Sequence, residues 1–349
     1  MKKVLSVAVI GLWLVFATAA QANVFDMGGT RNADGSWTGS ASLETVPVGD
    51  PGNAGELSAG DSCIARICGA VGYEYRIGKY EVTQGQYTEF LNAVAKTDTY
   101  GLYNVNMAQL DYGSRITQND ANGDGLWEYF VSPFLRNRPV NFVNWGDAAR
   151  FANWLHNGQP TGAQDLSTTE DGSYTLNGAM SDAALLAVTR KPNATWVIPS
   201  EDEWYKAAYY KGGGTNAGYF GYPTSSDTEP GQDMADASGN NANYSAGYWG
   251  TYTTVVGQFR NSASPYGTFD QAGNVDEWNE AFVNGPYRGM RGGSYWGTPV
   301  NVLHASFRGN AQSTAECDFL GFRVVEVPEP ASTAIFALGG LALLRRRKA

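Results

Sequence analysis

The stretch Arg288 to Val325, RGMRGGSYWGTPVNVLHASFRGNAQSTAECDFLGFRVV, decides how the rest of the chain reads. It opens on Gly292-Gly293-Ser294 followed by two aromatics, and it closes on Gly321-Phe322-Arg323. Paired glycines before a small polar residue read as a turn that positions a sheet. The segment between the two signatures carries Trp296, Asn301, His304 and Arg308, and from Tyr295 to Ala315 it holds no cysteine. Composition points the same way: 43 Gly, 20 Tyr and 10 Trp imply many turns and aromatic plugs rather than repeated regular helices.

Upstream of that stretch, three helices announce themselves. Thr83-x-x-Gln86 is a capping box, in which two side chains satisfy free amides of the first turn, and Tyr87, Phe90, Leu91 and Val94 then share one face. A second helix follows Asn144, with Ala148, Phe151, Ala152 and Leu155 on one stripe. The third starts at Ser200-x-x-Glu203, with Trp204, Ala207 and Ala208 facing inward. Core packing is the default role of these aromatics.

Around the helices lie Ile77-Gly78-Lys79-Tyr80-Glu81-Val82-Thr83, Arg138-Pro139-Val140-Asn141 with Asn144-Trp145, Ile198-Pro199-Ser200-Glu201-Asp202-Glu203-Trp204, and Gly273-Asn274-Val275-Asp276-Glu277-Trp278. With the closing stretch, these segments resemble, in order from Tyr73 to Val325, the domain of the formylglycine-generating enzymes, the sulfatase-modifying-factor family. Five motifs in register make the resemblance specific. It implies an α+β, C-type-lectin-like fold with low regular secondary structure, a small antiparallel sheet and two to three helices. The domain is expected over residues 73–326, with 23–72 as its strand-and-loop entrance.

The resemblance also implies chemistry. Active members use a cysteine pair to bind copper and activate oxygen, and thiolates suit copper(I). Aligned forward from Gly292-Gly293-Ser294, Gly297 and Val302 stand at those two places, and aligning back from Arg308 again finds no cysteine. No copper is therefore expected. Another branch works beside a three-histidine iron site, which His156 and His304 are too few to build. Nothing marks His304 as a base for Ser294. Family members carry structural calcium. Carried over residue by residue, its ligands are the Asp270 side chain, the Gly273 and Val275 carbonyls and the Glu277 side chain, a donor set calcium accepts. The alternative is that Glu277 pairs with an arginine such as Arg291. A second family site would begin near Asn243 and Tyr244, where the spacing is too altered to assign the remaining ligands. Asp120-Ala-Asn122-Gly-Asp124-Gly125 has oxygens on alternate residues like half of an EF-hand loop, but Val131 stands where the bidentate glutamate belongs. A plain Asx-turn loop reads equally well.

Both ends carry addresses. Lys2-Lys3, an apolar run and Ala20-Gln21-Ala22 read as a signal peptide over 1–22, too short for a comfortable membrane span. Residues 327–349 run from Val327-Pro328-Glu329-Pro330 through apolar Ala331–Leu344 to Arg345-Arg346-Arg347-Lys348, and resemble a PEP-CTERM sorting signal. That resemblance implies a membrane-embedded processing protease as partner, transient membrane association through the tail, and a cell-surface or extracellular destination. The net charge is −10, and setting aside the six terminal cations leaves 18 basic against 34 acidic residues. Such a body should not bind nucleic acid. Export permits a disulfide between Cys63 and Cys68, leaving Cys317 over.

The expectation that follows is an exported, calcium-stabilised, non-catalytic domain that binds or organises material at the cell surface or in the matrix. Its groove would be formed by Tyr295, Trp296, Asn301, His304 and Arg308, with help from Tyr248, Trp249 and Tyr252, and would take a polysaccharide or peptide. A cysteine-independent enzyme of the same family and a purely structural matrix protein stay open as alternatives.

Overall fold

A computed structural model describes residues 25–58, 65–109, 114–245, 252–297 and 299–328. The expected signal peptide, Cys63, Tyr248, Trp249 and the tail beyond Pro328 lie outside the described residues. Among the described residues, no helix is long and apolar enough to cross a membrane.

The three expected helices form where their caps place them. In α1 (Gln84–Val94), the Thr83 hydroxyl accepts from the Gln86 amide and the Gln86 side chain accepts from the Thr83 amide. In α2 (Trp145–His156), Asn144 and Asp147 close the same reciprocal pair. A short helix, α3 (Asp182–Leu186), was not foreseen. The last, α4 (Glu201–Tyr209), is capped by Ser200 and Glu203. Each such cap is worth about 1 kcal/mol. The buried faces of α1 and α2 meet in a ring cluster. Phe151 lies edge-on to Phe90 at 5.3 Å and to Phe322 at 5.4 Å, so the phenylalanine of the closing motif plugs the helix pair. Such ring pairs add roughly 0.5–1.5 kcal/mol beyond area burial.

Three hairpins lie outside the main sheets: β1 (Thr30–Arg31) with β2 (Trp37–Thr38), β4 (Glu56–Ser58) with β5 (Arg66–Cys68), and β7 (Ile116–Asn119) with β8 (Glu128–Val131). One four-stranded sheet runs in the order β3 (Thr45–Val48), β6 (Tyr75–Gly78), β14 (Val325–Glu326), β9 (Trp196–Val197), all antiparallel. The entrance segment thus contributes a strand to the core sheet, and Val48 is fully buried. The second sheet runs β12 (Gly309–Ala311), β11 (Arg288–Arg291), β10 (Asp276–Phe282), β13 (Leu320–Gly321). It departs from the expected all-antiparallel pattern, because β13 returns from the variable stretch alongside β10 in parallel, with Asp276 opposite Leu320. Two glycines beside these strands are required by their surroundings. Gly273 has φ +83°, and a Cβ there would sit 2.1 Å from the Asn243 carbonyl oxygen. Gly292 has φ +104° and lies against the Gln271 carbonyl.

Candidate functional site

Two buried charge centres hold the sheets and α4 together, and the variable stretch lies over them. The first is centred on Glu277 of β10. Arg323 grips its carboxylate through Nε at 2.5 Å and Nη2 at 2.6 Å, and the Trp204 indole donates to it at 2.8 Å. Arg323 also donates to the carbonyls of Gly78 and Phe269, each at 2.9 Å. Both partners are completely buried. So Glu277 does pair with an arginine, but with Arg323 rather than Arg291.

Two further carboxylates face this pair. Asp270 accepts from the Gly257 amide at 2.6 Å, and burial pushes its carboxyl up to about 7. Glu81 accepts weakly from the Asn274 amide at 3.3 Å, while its other oxygen is buried with no hydrogen-bond partner. Burial first, and then repulsion from Asp270 and Glu277, holds the Glu81 carboxyl well above the ordinary range. Asp276, accepting from the Gly293 amide at 3.1 Å, is likewise raised to about 7 by burial. Glu277, Asp270 and Glu81 thus face one guanidinium in a dry site, where every ionised acid beyond Glu277 lacks a counter-charge. Among the described residues no three His, Cys, Asp or Glu side chains converge as a metal cage. A cation here would rest on two carboxylates, Asp270 and Glu81, together with carbonyl oxygens of the Gly273–Val275 bend. The partnerless Glu81 oxygen fits a hard cation, whereas Glu277 is already engaged by Arg323 and Trp204. Sequence reasoning missed Glu81, although it stands inside the quoted opening motif.

The second centre surrounds Glu201 at the start of α4. Arg308 donates from Nε and Nη2, each at 2.7 Å, Arg291 from Nε at 3.0 Å, and Arg66 from Nη1 at 2.8 Å. Burial alone would raise this carboxyl, but Arg308, Arg291 and Arg66 overcome it and hold Glu201 down at about 2. Arg308 was expected in a ligand groove. At 3% exposure it is instead an internal tie between the variable stretch and α4, a correction that follows from the bidentate fit to a buried carboxylate.

Above these centres runs the surface of the variable stretch. Tyr295, 1% exposed, is also a support: its hydroxyl donates to Asp318 at 3.2 Å and its ring meets Tyr252 edge-on at 6.4 Å. Trp296 is 52% exposed. A 3-10 turn, Val300–Leu303, follows, with Asn301 exposed and Leu303 fully buried. The Leu303 carbonyl accepts from the Tyr209 hydroxyl of α4 at 3.1 Å. His304 is half-buried. Its Nδ1 accepts from the Ser306 amide at 3.2 Å, which assigns the proton to Nε2 in the neutral ring, and the ring meets Tyr222 edge-on at 5.1 Å. Of the five expected groove residues, then, Trp296, Asn301 and His304 lie along one accessible stretch, while Tyr295 and Arg308 point inward. Ser294 is buried, and His304 is engaged with Ser306.

The remaining candidates settle into structure. Asp120 caps the β7–β8 turn, its two oxygens accepting from the Asp124 and Gly125 amides, and Asp124 accepts from Leu126. That is the Asx-turn reading of the loop; Asn122 is exposed beside it. Cys68 is a buried free thiol between Arg291 and Arg66, at 3.6 and 3.9 Å, and burial raises its pKa. A disulfide with Cys63 was expected; Cys63 lies outside the described residues, and Cys68 is a free thiol. Asn243 donates from its side-chain nitrogen to the Tyr252 carbonyl and bridges to Gly273, while Tyr244 donates to the Pro230 carbonyl.

A mixed fold with few helices and small sheets, closed by Gly-Phe-Arg onto a buried glutamate, defines a protein of the formylglycine-generating-enzyme type. Residues 68–327 match the sulfatase-modifying factor enzyme 1-like domain, and the chain belongs to that family. Residues 326–348 match the PEP-CTERM protein-sorting motif, which indicates export to the cell surface or beyond. No curated protein matches the chain. Among solved structures it is similar to Treponema denticola variable protein 1, at 20% identity and TM-score 0.50, covering 83% of this chain and 97% of that one. PvdO from Pseudomonas aeruginosa is similar at 17% identity and TM-score 0.47, covering 82% and 95% of the respective chains. At 20% identity the likeness to the first of these shows the fold alone.

Proposed function

We propose that this exported domain is a binding module of the cell surface or extracellular matrix, stabilised by calcium and without the oxidase chemistry of its family. The observation that carries the reading is the division of the variable stretch. Its interior side, Tyr295 and Arg308, is tied into the core, and its outer side presents Trp296, Asn301 and His304 on a fixed base. A rigid platform with one exposed indole and neighbouring hydrogen-bonding groups suits stacking against a sugar ring or a peptide. Aligned forward from Gly292-Gly293-Ser294, the places of the copper-binding thiols fall on Gly297, which is exposed, and Val302, and aligning back from Arg308 again finds no cysteine. Neither side chain offers a nucleophile or a soft ligand.

Calcium in this reading is held by Asp270, Glu81 and carbonyl oxygens of the Gly273–Val275 bend. It would supply the positive charge that the buried acids lack and so fix the bend beneath the platform. The test is binding of the exported domain to the producing cell's extracellular polysaccharide, with calcium and with EDTA. Saturable binding that Trp296→Ala abolishes, with the melting temperature unchanged, supports the reading. A folded, calcium-loaded domain that binds neither polysaccharide nor matrix peptide refutes it.

A further inference from the structure

The last strand of the fold runs straight into the sorting motif. β14 is an interior strand: Val325 pairs with Ile77 on one side and Val197 on the other, and Glu326 pairs with Arg76 and Trp196. Just before it, the Val324 carbonyl accepts from the Gly78 amide at 2.8 Å, and just after it the Val327 amide donates to the Thr195 carbonyl at 2.8 Å. The matched sorting motif begins at 326, inside this ladder. A protease takes its substrate as an extended strand whose backbone is available for pairing. Residues 324–327 are already paired, and freeing them means pulling a central strand out of the core.

The geometry also fixes which face of the domain meets the enzyme. The apolar part of the sorting signal starts at Ala331, three residues past Pro328. Three residues of fully extended chain reach at most about 10 Å. At that same end of the sheet lies a groove of about 760 Å³, lined by Pro47, Gly49, Glu74, Arg76, Trp196 and Pro328. Its charges are mixed: Arg76 lies 3.6 Å from Glu326, and Glu74 is exposed beside them. A mixed groove on an acidic body has no electrostatic attraction to anionic lipid, which selects basic clusters. It suits a protein surface.

We propose that this groove is the docking surface for the processing protease of the sorting system, and that β14 sets the upstream limit of cleavage, beyond Pro328. The inference rests on the sorting motif being used. Hydrolysis there adds one water across a C–N bond, leaving a carboxylate on the intact domain and a free amine on the tail. The experiment expresses the full chain in a host with its own sorting system, follows conversion by pulse-chase, and reads the mature terminus by intact mass. Gly49→Trp fills the groove, since a Cβ at Gly49 meets nothing within 4 Å. Glu74→Arg reverses an exposed charge at the same place. Gly72→Trp, where a Cβ is equally unobstructed, places the same bulk outside the groove. The groove variants should convert about tenfold more slowly, one decade of lost affinity, at unchanged melting temperature. Gly72→Trp should match the wild type. Conversion of both groove variants at the wild-type rate overturns the docking surface, and a mature end upstream of Pro328 overturns the limit set by β14. A wild-type chain that keeps its tail overturns the sorting reading and this proposal together, so the two failures are told apart.

Discussion

Replacing Arg323 by alanine removes the guanidinium paired with Glu277 and leaves Glu277, Asp270 and Glu81 facing one another. Breaking a buried ion pair by removing one partner costs about 3–5 kcal/mol. The Gly78 and Phe269 carbonyls also lose their donor, adding about 1 kcal/mol each. Protonation within the cluster of buried acids limits the loss, because a neutral carboxyl needs no counter-charge. At pH 7.5 neutralising a carboxyl of ordinary pKa costs about 4 kcal/mol, and at pH 5.5 between 1 and 2, at about 1.4 kcal/mol per unit. The variant should therefore be destabilised by about 4–6 kcal/mol at pH 7.5 and by about 2–3 kcal/mol less at pH 5.5. The sign follows from linkage. Arg323 holds down the raised Glu81 and Asp270 carboxyls, so without it their folded-state pKa values climb further above the unfolded ones, and stability is present at low pH and lost as pH rises. Urea unfolding in EDTA, followed by tryptophan fluorescence at both pH values, measures the difference. Arg323→Ala combined with Glu277→Gln, beside each single variant, completes a cycle whose coupling should exceed about 2 kcal/mol. A loss below about 1 kcal/mol, or one that is the same at both pH values, would falsify the assigned pairing.

Asp270 and Asp276, both raised to about 7, make the calcium-free protein lose stability as pH climbs from about 4 through 7. Calcium should offset that loss at pH 8, by about 2.7 kcal/mol at a hundredfold excess over Kd, and do little at pH 5. Calorimetry with and without EDTA reads this directly, and an EDTA effect that is absent or equal at both pH values counts against the site. Glu201→Gln should cost about 3–5 kcal/mol by chemical denaturation, somewhat less for the share of half-exposed Arg66. The wild-type contribution of Glu201, whose pKa is depressed to about 2, should vanish only as pH falls from about 4 through 2, so a variant as stable as wild type at pH 7 sinks the second centre. Gly273→Ala should cost more than about 2 kcal/mol, since both a left-handed φ and the Asn243 carbonyl oppose a Cβ, and a neutral substitution would show the bend is free to move.

Much of the scaffold was legible because its signals are local. Thr83 with Gln86 and Ser200 with Glu203 each specify a helix start within four residues, Asn144 marks another, and each helix begins there. The glycine turn at Gly292 and the closing Gly321-Phe322-Arg323 were equally readable. Pairings between distant segments were not. The choice of Arg323 over Arg291 for Glu277, and of Glu201 as the hub for Arg66, Arg291 and Arg308, depends on how two sheets and α4 pack, and no spacing along the chain encodes it. For the same reason Trp296, Asn301 and His304 lie on the accessible side of the variable stretch while Tyr295 and Arg308 turn inward: polarity says what a side chain can bond, and tertiary packing decides which side it faces. Glu81 was visible as a residue but silent as an acid, since only burial without a partner marks it.

The position of β14 has a consequence for the order of events in synthesis. Val325 completes a sheet whose other members were made long before it, with Ile77 on one side and Val197 on the other. Contacts of such long sequence separation close slowly and late. A nascent chain still missing these residues has a cleft where its central strand belongs, so it cannot lock into a stable body while it is being moved. The domain reaches its final state only when nearly all of it has been delivered, and the residues that finish the fold arrive immediately ahead of the address that sends it on its way.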